Sequence, residues 1–463
     1  MFASWLKSLE PRYGLDLRSL ALLRVGLAGV MLVDLGWRLG TLTLNYSDQG
    51  GLPRSALGEL WLPGYWSIHA WSGAVGWQVV CFAIAALSAF LMLIGYRTRW
   101  ATLISWLMLI SLHNRNPLVI GAADDVLRAM VFWGIFLPLG SCYSVDQALN
   151  ISPQPQPKRI LTGATLGLMA QQCYIYIASA LSPTLSSGAV IATVLAWVGP
   201  LLLWSPIKTD LCRLLVVVLF MLFHILGAFT LNLGLLPIIS CFTWLAFIPS
   251  SVWDGWAERA FTPKQLGLKI YYDAECGFCK KVVHLLRTFL VLPQRVPLQI
   301  AQSDPVIQTA METQNSWVIV DWQGKHHYKW RGIAYVVSLS PIFYPLANVL
   351  RVPPLMALGT RLYETIANNR RFAGNFTKPF KYQSFTVRSP RLLNGAALLA
   401  LLLVTLLNLR SIADYNVIAQ SQQPAIGLLR QIATSTTVQT VAPLGQITRL
   451  DQSWHIFSRS APD

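Results

Sequence analysis

Cys276 and Cys279 stand three positions apart in "DAECGFC", inside the stretch "YYDAECGFCKK". The pair follows a short β-like run and opens a helix-like one. A strand ending at Asp273 and a helix beginning near Cys276 put the Cys276 sulfur at a helix N-terminus. Unpaired backbone N–H groups and the helix dipole stabilise a thiolate there. Cys279 comes nearly one turn later on the same face, within reach for a disulfide. Lys280 and Lys281 add positive charge nearby, and Glu275 opposes it. The thiolate is the attacking species in thiol–disulfide exchange, so this placement makes Cys276 the nucleophile and Cys279 the resolving thiol. Asp273, at the strand end, is the candidate proton relay for the second thiol if it is buried. Two other readings stay open: an inert pair of cysteines, or half of a zinc site. Zinc needs a second pair of ligands, and this region offers only His284, His326 and His327, the last two within "GKHHYKW". No metal is expected.

The elements that must position this dithiol are short. "LKIYYD", "VPLQIA" and "SWVIVD" have the apolar, β-branched character of buried strands, with helix-like stretches at 278–290 and around 305–313. Strands alternating with helices over about 100 residues predict a small layered α/β domain.

The rest of the chain is of another kind. Of 463 residues, 54% are hydrophobic and only 12% charged, and mean hydropathy is +0.48. Soluble domains carry about 25% charged residues, so the deficit points to a lipid environment. Apolar windows near 17–39, 75–94, 99–114, 124–140, 160–181, 188–204, 211–231 and 235–249 are read as membrane helices, with a ninth at 391–409. The first carries Arg24 and lacks an A-x-A-like end, so it reads as a permanent anchor and not a cleaved signal. The expected fold is a polytopic α-helical membrane protein of about eight helices plus a ninth, with the α/β domain inserted before the last. The expected parts are 1–256, 268–375, 391–410 and a polar tail at 411–463.

Loop charges predict the orientation. Lys7, Arg12, Arg18, Arg97, Arg99, Lys158, Arg159, Lys208 and Arg213 fall on one side, and only Arg54 and Arg115 on the other. The N-terminus and the α/β domain are then cytoplasmic and the tail lies outside, in a membrane of the bacterial inner-membrane kind. Residues 258–391 hold 18 Lys/Arg and 7 Asp/Glu, which supplies +11 of the net +16. These basic residues are scattered and lack aromatic interleaving, so a domain lying against an anionic leaflet is expected and not a nucleic-acid partner. Seven cysteines without regular spacing exclude a secreted disulfide framework.

Ionisable residues inside membrane helices are costly and are functional candidates. Arg24, Asp34 and Arg38 lie in the first helix, and Asp124, Asp125 and Arg128 in "GAADDVLRAM". With His113, Tyr176 and His224 they form the candidate membrane pocket; ion pairs that merely lock helix packing are the alternative. Cys142 in "LGSCYS" and Cys212 in "TDLCRLL" are candidate relay thiols, and equally ordinary small apolar residues.

"IYYDAECGFCKKVVHLL", "SWVIVDWQGK", "RGIA" and "RLYETIANNR" together resemble the DCC family over about 268–372. These are thioredoxin-like proteins named for a D-x-x-C-x-x-C motif and described as thiol-disulfide oxidoreductases. The resemblance implies Asp273, Cys276 and Cys279 as the defining positions. Thioredoxins present a cis-proline before the third strand, where this chain has "TQNS". Across 11–253, "ALLRVGLAGVMLVDLGWRL", "NYSDQGGLPR", "RNPLVIGAADDVLRAMVFWGIFLPLGSCYSVD" and "FHILGAFTLNLG", with the late "LDQSWHIF", resemble the HTTM family. That family includes the transmembrane part of vitamin K-dependent γ-glutamyl carboxylase. The resemblance implies a quinone cofactor, vitamin K-like, on the outer side. The stretch 171–188, where the carboxylase's lysine base would align, holds no lysine, so carboxylation is not expected. In similar proteins "LDQSWHIF" leads into further residues; here the sequence stops at Asp463.

The expected function is a membrane-tethered thiol-disulfide oxidoreductase, with the bilayer and a protein or small-molecule thiol or disulfide as partners. The alternatives are a quinone- or lipid-handling membrane enzyme, and a non-catalytic membrane scaffold.

Overall fold

The structure, a computed structural model, describes residues 9–152, 155–180, 190–387, 390–414, 431 and 435–451. Most of the tail, including all but the first two residues of "LDQSWHIF", lies outside the described residues. The chain divides into two units. One comprises 1–139, 157–250 and 387–463, the other 140–156 and 251–386.

The first unit is helical. Its elements are α1 (Leu17–Gly40), α2 (Val75–Ile94), α3 (Thr98–Arg115), α4 (Ala122–Phe136), α5 (Gly163–Ala180), α6 (Val190–Leu203), α7 (Thr209–Thr230) and α8 (Leu236–Leu245), followed by a helix over Arg391–Asp414. Asp16 caps α1, its carboxylate accepting from the Arg18 backbone N–H at 2.8 Å. Gly26 of α1 faces Phe242 of α8 so closely that a Cβ there would fall 2.0 Å from the ring, which makes this helix crossing specific to glycine. A two-residue antiparallel ladder, β1 (Leu15–Asp16) with β2 (Arg159–Ile160), ties the start of α1 to the lead-in of α5.

Each of the nine stretches read as spans contains a helix, but the count of spanning helices is corrected. Among the described residues, only 17–40, 75–94, 209–230 and 391–411 are long and apolar enough to cross a membrane, or five helices if 236–245 and 250–260 are taken as one broken span. The reason is length and end chemistry. The 15 residues of α4 rise about 22 Å at about 1.5 Å each, against a hydrocarbon core of about 30 Å. The 14 residues of α6 include Pro200, and α3 closes on His113, Asn114 and Arg115, all buried. Several long apolar helices are thus compatible with a membrane protein, with shorter helices among them.

The second unit holds a four-stranded sheet in the order β4-β3-β5-β6. The strands are β3 (Lys269–Tyr272), β4 (Leu298–Ile300), β5 (Val318–Val320) and β6 (His326–His327). β3 pairs with β4 in parallel, Ile270 opposite Leu298, and with β5 antiparallel, Ile270 opposite Ile319. β5 turns back into β6 with Ile319 opposite His327. The helices are α9 (Gly277–Phe289), α10 (Pro305–Gln314), α11 (Lys329–Ser338), α12 (Tyr344–Leu350), α13 (Pro353–Asn368) and α14 (Arg370–Thr377). Alternation along β3 sorts the core onto two faces. Ile270 and Tyr272 bury with Cys279, Val283 and Val336 on one, while Tyr271 buries with Ile307, Met311 and Val318 on the other. Residues 140–156 belong to this unit because Gln383 holds them, its amide donating to Asp146 at 2.7 Å and its backbone pairing with Leu149 and Ile151.

Asp321 fixes the β5–β6 turn. Its carboxylate accepts from the backbone N–H of Gln323 and of Lys325, both at 2.9 Å, and meets His327 Nε2 at 3.0 Å. Burial alone would raise its pKa, but these donors outweigh it and hold the carboxyl below the usual range. Its folded pKa lies below the unfolded value. The stabilisation is therefore complete at neutral pH and fades as pH falls through the lowered pKa. Asp321→Ala is expected to cost about 1–3 kcal/mol, read as a lower denaturation midpoint of the second unit at pH 7. The difference from wild type should shrink in acid; an unchanged midpoint would show that the turn does not depend on this carboxylate.

Candidate functional site

The dithiol lies at the junction of β3 and α9. Cys276 is the capping residue of α9, and its Sγ accepts from the Cys279 backbone N–H at 3.2 Å. The two cysteines form a disulfide with Cα atoms 5.2 Å apart, an ordinary separation for such a bond. Their exposures differ: Cys276 is half-buried, while Cys279 is 2% exposed and belongs to the core beside Ile270 and Val283. An incoming reagent therefore meets Cys276.

Asp273 organises the approach to that helix. Its carboxylate accepts from the Glu275 backbone N–H at 3.1 Å and from the Gln302 amide at 2.9 Å. Arg370, from the start of α14, reaches the other oxygen at 3.5 Å and donates to Asn315 Oδ1 at 2.6 Å. The side chain of Asp273 keeps 21% of its exposure, so it is a loop anchor and not a deeply buried acid. Arg370 and Asn315 belong to the site and were not predicted from sequence. The only signal was the placement of Arg370 at the end of "RLYETIANNR".

Charge near the sulfurs comes from lysines. Lys280 is exposed. Lys281 donates to the Thr377 carbonyl at 2.8 Å, and burial lowers its pKa. His284, one turn along α9, is pushed down to about 4 by burial, with the Arg287 and Lys280 charges adding to the effect. It is neutral at pH 7. His326 and His327 form β6, with His327 stacked on Tyr335 at 4.2 Å between ring centroids.

An apolar cleft of about 200 Å³ opens beside Cys279, between α9, α11 and α13. Phe278, Val282 and Leu286 line one side, and Trp317, Ile333 and Ile366 the other, with Arg370 at its polar edge. The segment before β5 closes it. There the Trp317 backbone N–H donates to the Tyr363 hydroxyl at 3.1 Å, and the Lys329 backbone N–H donates to Ser316 Oγ at 2.6 Å. The described backbone contains no cis peptide bond, so Ser316–Trp317 is trans.

In the first unit the predicted pocket residues separate into three groups. Arg38 bridges Asp34 at 2.7 Å and Asp124 at 2.5 Å and donates to the Tyr46 hydroxyl at 2.9 Å. Arg128 pairs with Asp125 and donates to His113 Nδ1 at 2.8 Å. A guanidinium only donates, so Nδ1 is the acceptor and the His113 proton sits on Nε2, 3.3 Å from Asp124. Asp34, Arg38, His113, Asp124, Asp125 and Arg128 are thus one network, to which the structure adds Tyr46 and the Arg449 carbonyl, an acceptor from Arg128 at 2.9 Å. Tyr176 forms a second group, bonded to His224 Nε2 at 2.6 Å and accepting from the Trp244 indole at 2.8 Å. Arg24 stands in a third place, donating to the Leu139 carbonyl at 3.2 Å. Of the candidate relay thiols, Cys142 is half-buried in the second unit, and Cys212 lies in α7 with its thiol on the Ile207 carbonyl at 3.4 Å.

Residues 270–374 match the DCC1-like thiol-disulfide oxidoreductase family. The match covers the dithiol, Asp273, the cleft and Arg370, and it points to thiol–disulfide redox chemistry. It does not reach the apolar region, and nothing in it supports the HTTM resemblance there. No curated protein and no solved structure matches the chain.

Removing Arg38 would leave Asp34 and Asp124 facing each other without their shared cation. Arg38→Gln is expected to destabilise the first unit by about 3–5 kcal/mol, measured as a fall in the thermal midpoint in detergent. A midpoint unchanged from wild type would show that the network carries no such burden.

Proposed function

We propose that the chain is a membrane-tethered thiol-disulfide oxidoreductase whose dithiol serves as an electron donor on the cytoplasmic side. The observation that carries this reading is Cys276 capping α9 with Cys279 buried directly behind it. In the reduced protein the helix N–H groups hold Cys276 as a thiolate. It attacks one sulfur of a substrate disulfide, whose S–S bond breaks as a mixed disulfide forms. The first substrate thiolate leaves and takes a proton from water. Cys279 then gives up its proton to solvent and attacks Cys276 Sγ, which breaks the mixed disulfide and releases the second substrate thiol. Two electrons have passed to the substrate, and the protein ends as the Cys276–Cys279 disulfide. Cytosolic thiols are the reductant that restores it. Asp273 and Arg370 position the loop in this scheme and stand outside the exchange itself.

The parallel β3–α9–β4 unit followed by the antiparallel β5–β6 pair and α11 supports a thioredoxin-like core. Arg259, Lys264 and Lys269 at and just after the end of the 236–260 pair, and Lys378, Lys381, Arg388 and Arg391 leading into the 391–411 helix, support a cytoplasmic position, since Lys/Arg close to span ends are retained on that side. The network joining Arg38 to His113 supports a second reading, in which the first unit binds a ligand such as the quinone that the HTTM resemblance implies. Purified protein that carries no quinone and shows no quinone-dependent oxidation of its thiols would remove that reading.

Two measurements test the main proposal. Iodoacetamide labelling of the reduced protein against pH should show Cys276 ionising at least one unit below the free-cysteine value of about 8.5. Titration at the free value would leave the pair without its activated sulfur. Cys279→Ser should accumulate a mixed disulfide on Cys276 that mass spectrometry can map, including any intrachain adduct with Cys142 or Cys212. If the double variant Cys276→Ser/Cys279→Ser supports the wild-type phenotype, the protein acts as a scaffold.

A further inference from the structure

The second unit carries an apolar surface that extends beyond its sheet and the cleft beside its dithiol. Along α13, Leu355, Leu358, Leu362 and Ile366 recur at three- and four-residue spacing, which puts them on one face of the helix. All four are exposed, Leu358 at 62%. The packed face adjoins this stripe: Gly359, one turn from both Leu355 and Leu362, meets Trp330 so closely that a Cβ would sit 2.2 Å from the indole. The stripe therefore runs outward from the packed face, with Leu358 the most exposed of the four. The neighbouring helices also expose apolar residues. Leu346 and Val349 of α12 are exposed, as are Phe372 and Phe376 of α14, whose rings meet edge-on at 5.5 Å. An exposed apolar surface of this extent marks an interaction site.

Charge identifies the occupant. Residues 342–381 contain six Lys/Arg and one acid, Glu364, which Lys329 already holds at 2.7 Å. Arg351, Arg361 and Arg371 are exposed among the apolar residues. Apolar side chains bordered by cations along short helices match the interface of an anionic bilayer, where the former enter the acyl boundary and the latter meet headgroups. The chain itself supplies proximity, because the apolar helix at 391–411 follows α14 after a short linker. From these features we infer that α12, α13 and α14 form a lipid-docking surface for anionic headgroups. Leu362 and Ile366 also line the cleft beside Cys279, so its rim lies on this surface.

The test places the photo-crosslinker p-benzoylphenylalanine at Leu358, at Phe372 and, as a control, at exposed Thr309 of α10 in the full chain. Each protein is irradiated in nanodiscs of phosphatidylglycerol with phosphatidylcholine. Phospholipid adducts should form at 358 and 372 and not at 309. Their yield should fall about fivefold for each charge removed in Arg361→Gln and Arg371→Gln, and likewise fall in pure phosphatidylcholine. Adducts to a second copy of the chain, adducts within the chain, equal lipid yield at 309, or indifference to lipid charge would each overturn the inference. Thiol exchange is assayed in the same samples, so loss of the lipid adducts with intact exchange rejects this surface alone and leaves the redox proposal standing.

Discussion

Parallel strands cannot be joined by a tight turn. Pairing β3 with β4 in parallel therefore obliges the chain to cross over the sheet, and α9 is that crossover. Its first turn has to begin where β3 ends. Cys276 stands at that corner, with its sulfur among backbone N–H groups that no helical carbonyl satisfies. Cys279 follows on the inward face and enters the core. The different exposure of the two sulfurs is thus a product of strand pairing and helix geometry. The Asp273 contacts to Glu275, Gln302 and Arg370 hold the corner in place.

The first unit solves another problem. Arg24, Arg115 and Arg128 are among its largest fully buried side chains, and a buried guanidinium needs acceptors wherever it goes. Arg38 and Arg128 find carboxylates, Arg24 reaches the Leu139 carbonyl, and Arg115 uses both the Leu52 carbonyl and the Asp48 carboxylate. Several of these acceptors lie at helix ends and in the connections between helices. Polar-ended helices such as α3 and α4 bring them there, and the polar end of α3 and the 15-residue length of α4 also lower the number of helices able to span.

Much of the second unit was legible. "LKIYYD", "VPLQIA" and "SWVIVD" each carry a strand, because local alternation and β-branching suffice for a buried strand. The Cys276–Cys279 spacing placed the two sulfurs within reach of a disulfide, and the structure contains one. β6 was missed, since two histidines carry no periodicity and pair with β5 only through the Asp321 turn. Arg370 and Asn315 meet Asp273 from distant parts of the chain, and no local pattern announces such a meeting. The membership of 140–156 in the second unit is equally non-local and rests on Gln383. In the apolar region, hydropathy marked where helices occur but not how long each would run. Asp34 and Arg38 lie four residues apart and pair along α1, while the bond from Arg38 across to Asp124 depends on helix packing.

The Trp317 amide is already taken by the Tyr363 hydroxyl. A polypeptide lying along this segment would find no main-chain donor free to zip against, so recognition by strand addition is closed at that point. What stays open is a greasy slot with a cationic lip at Arg370. In the proposed exchange such a slot would select by shape and grease content, admitting a small disulfide bearing an acidic group as readily as an exposed loop of a larger protein.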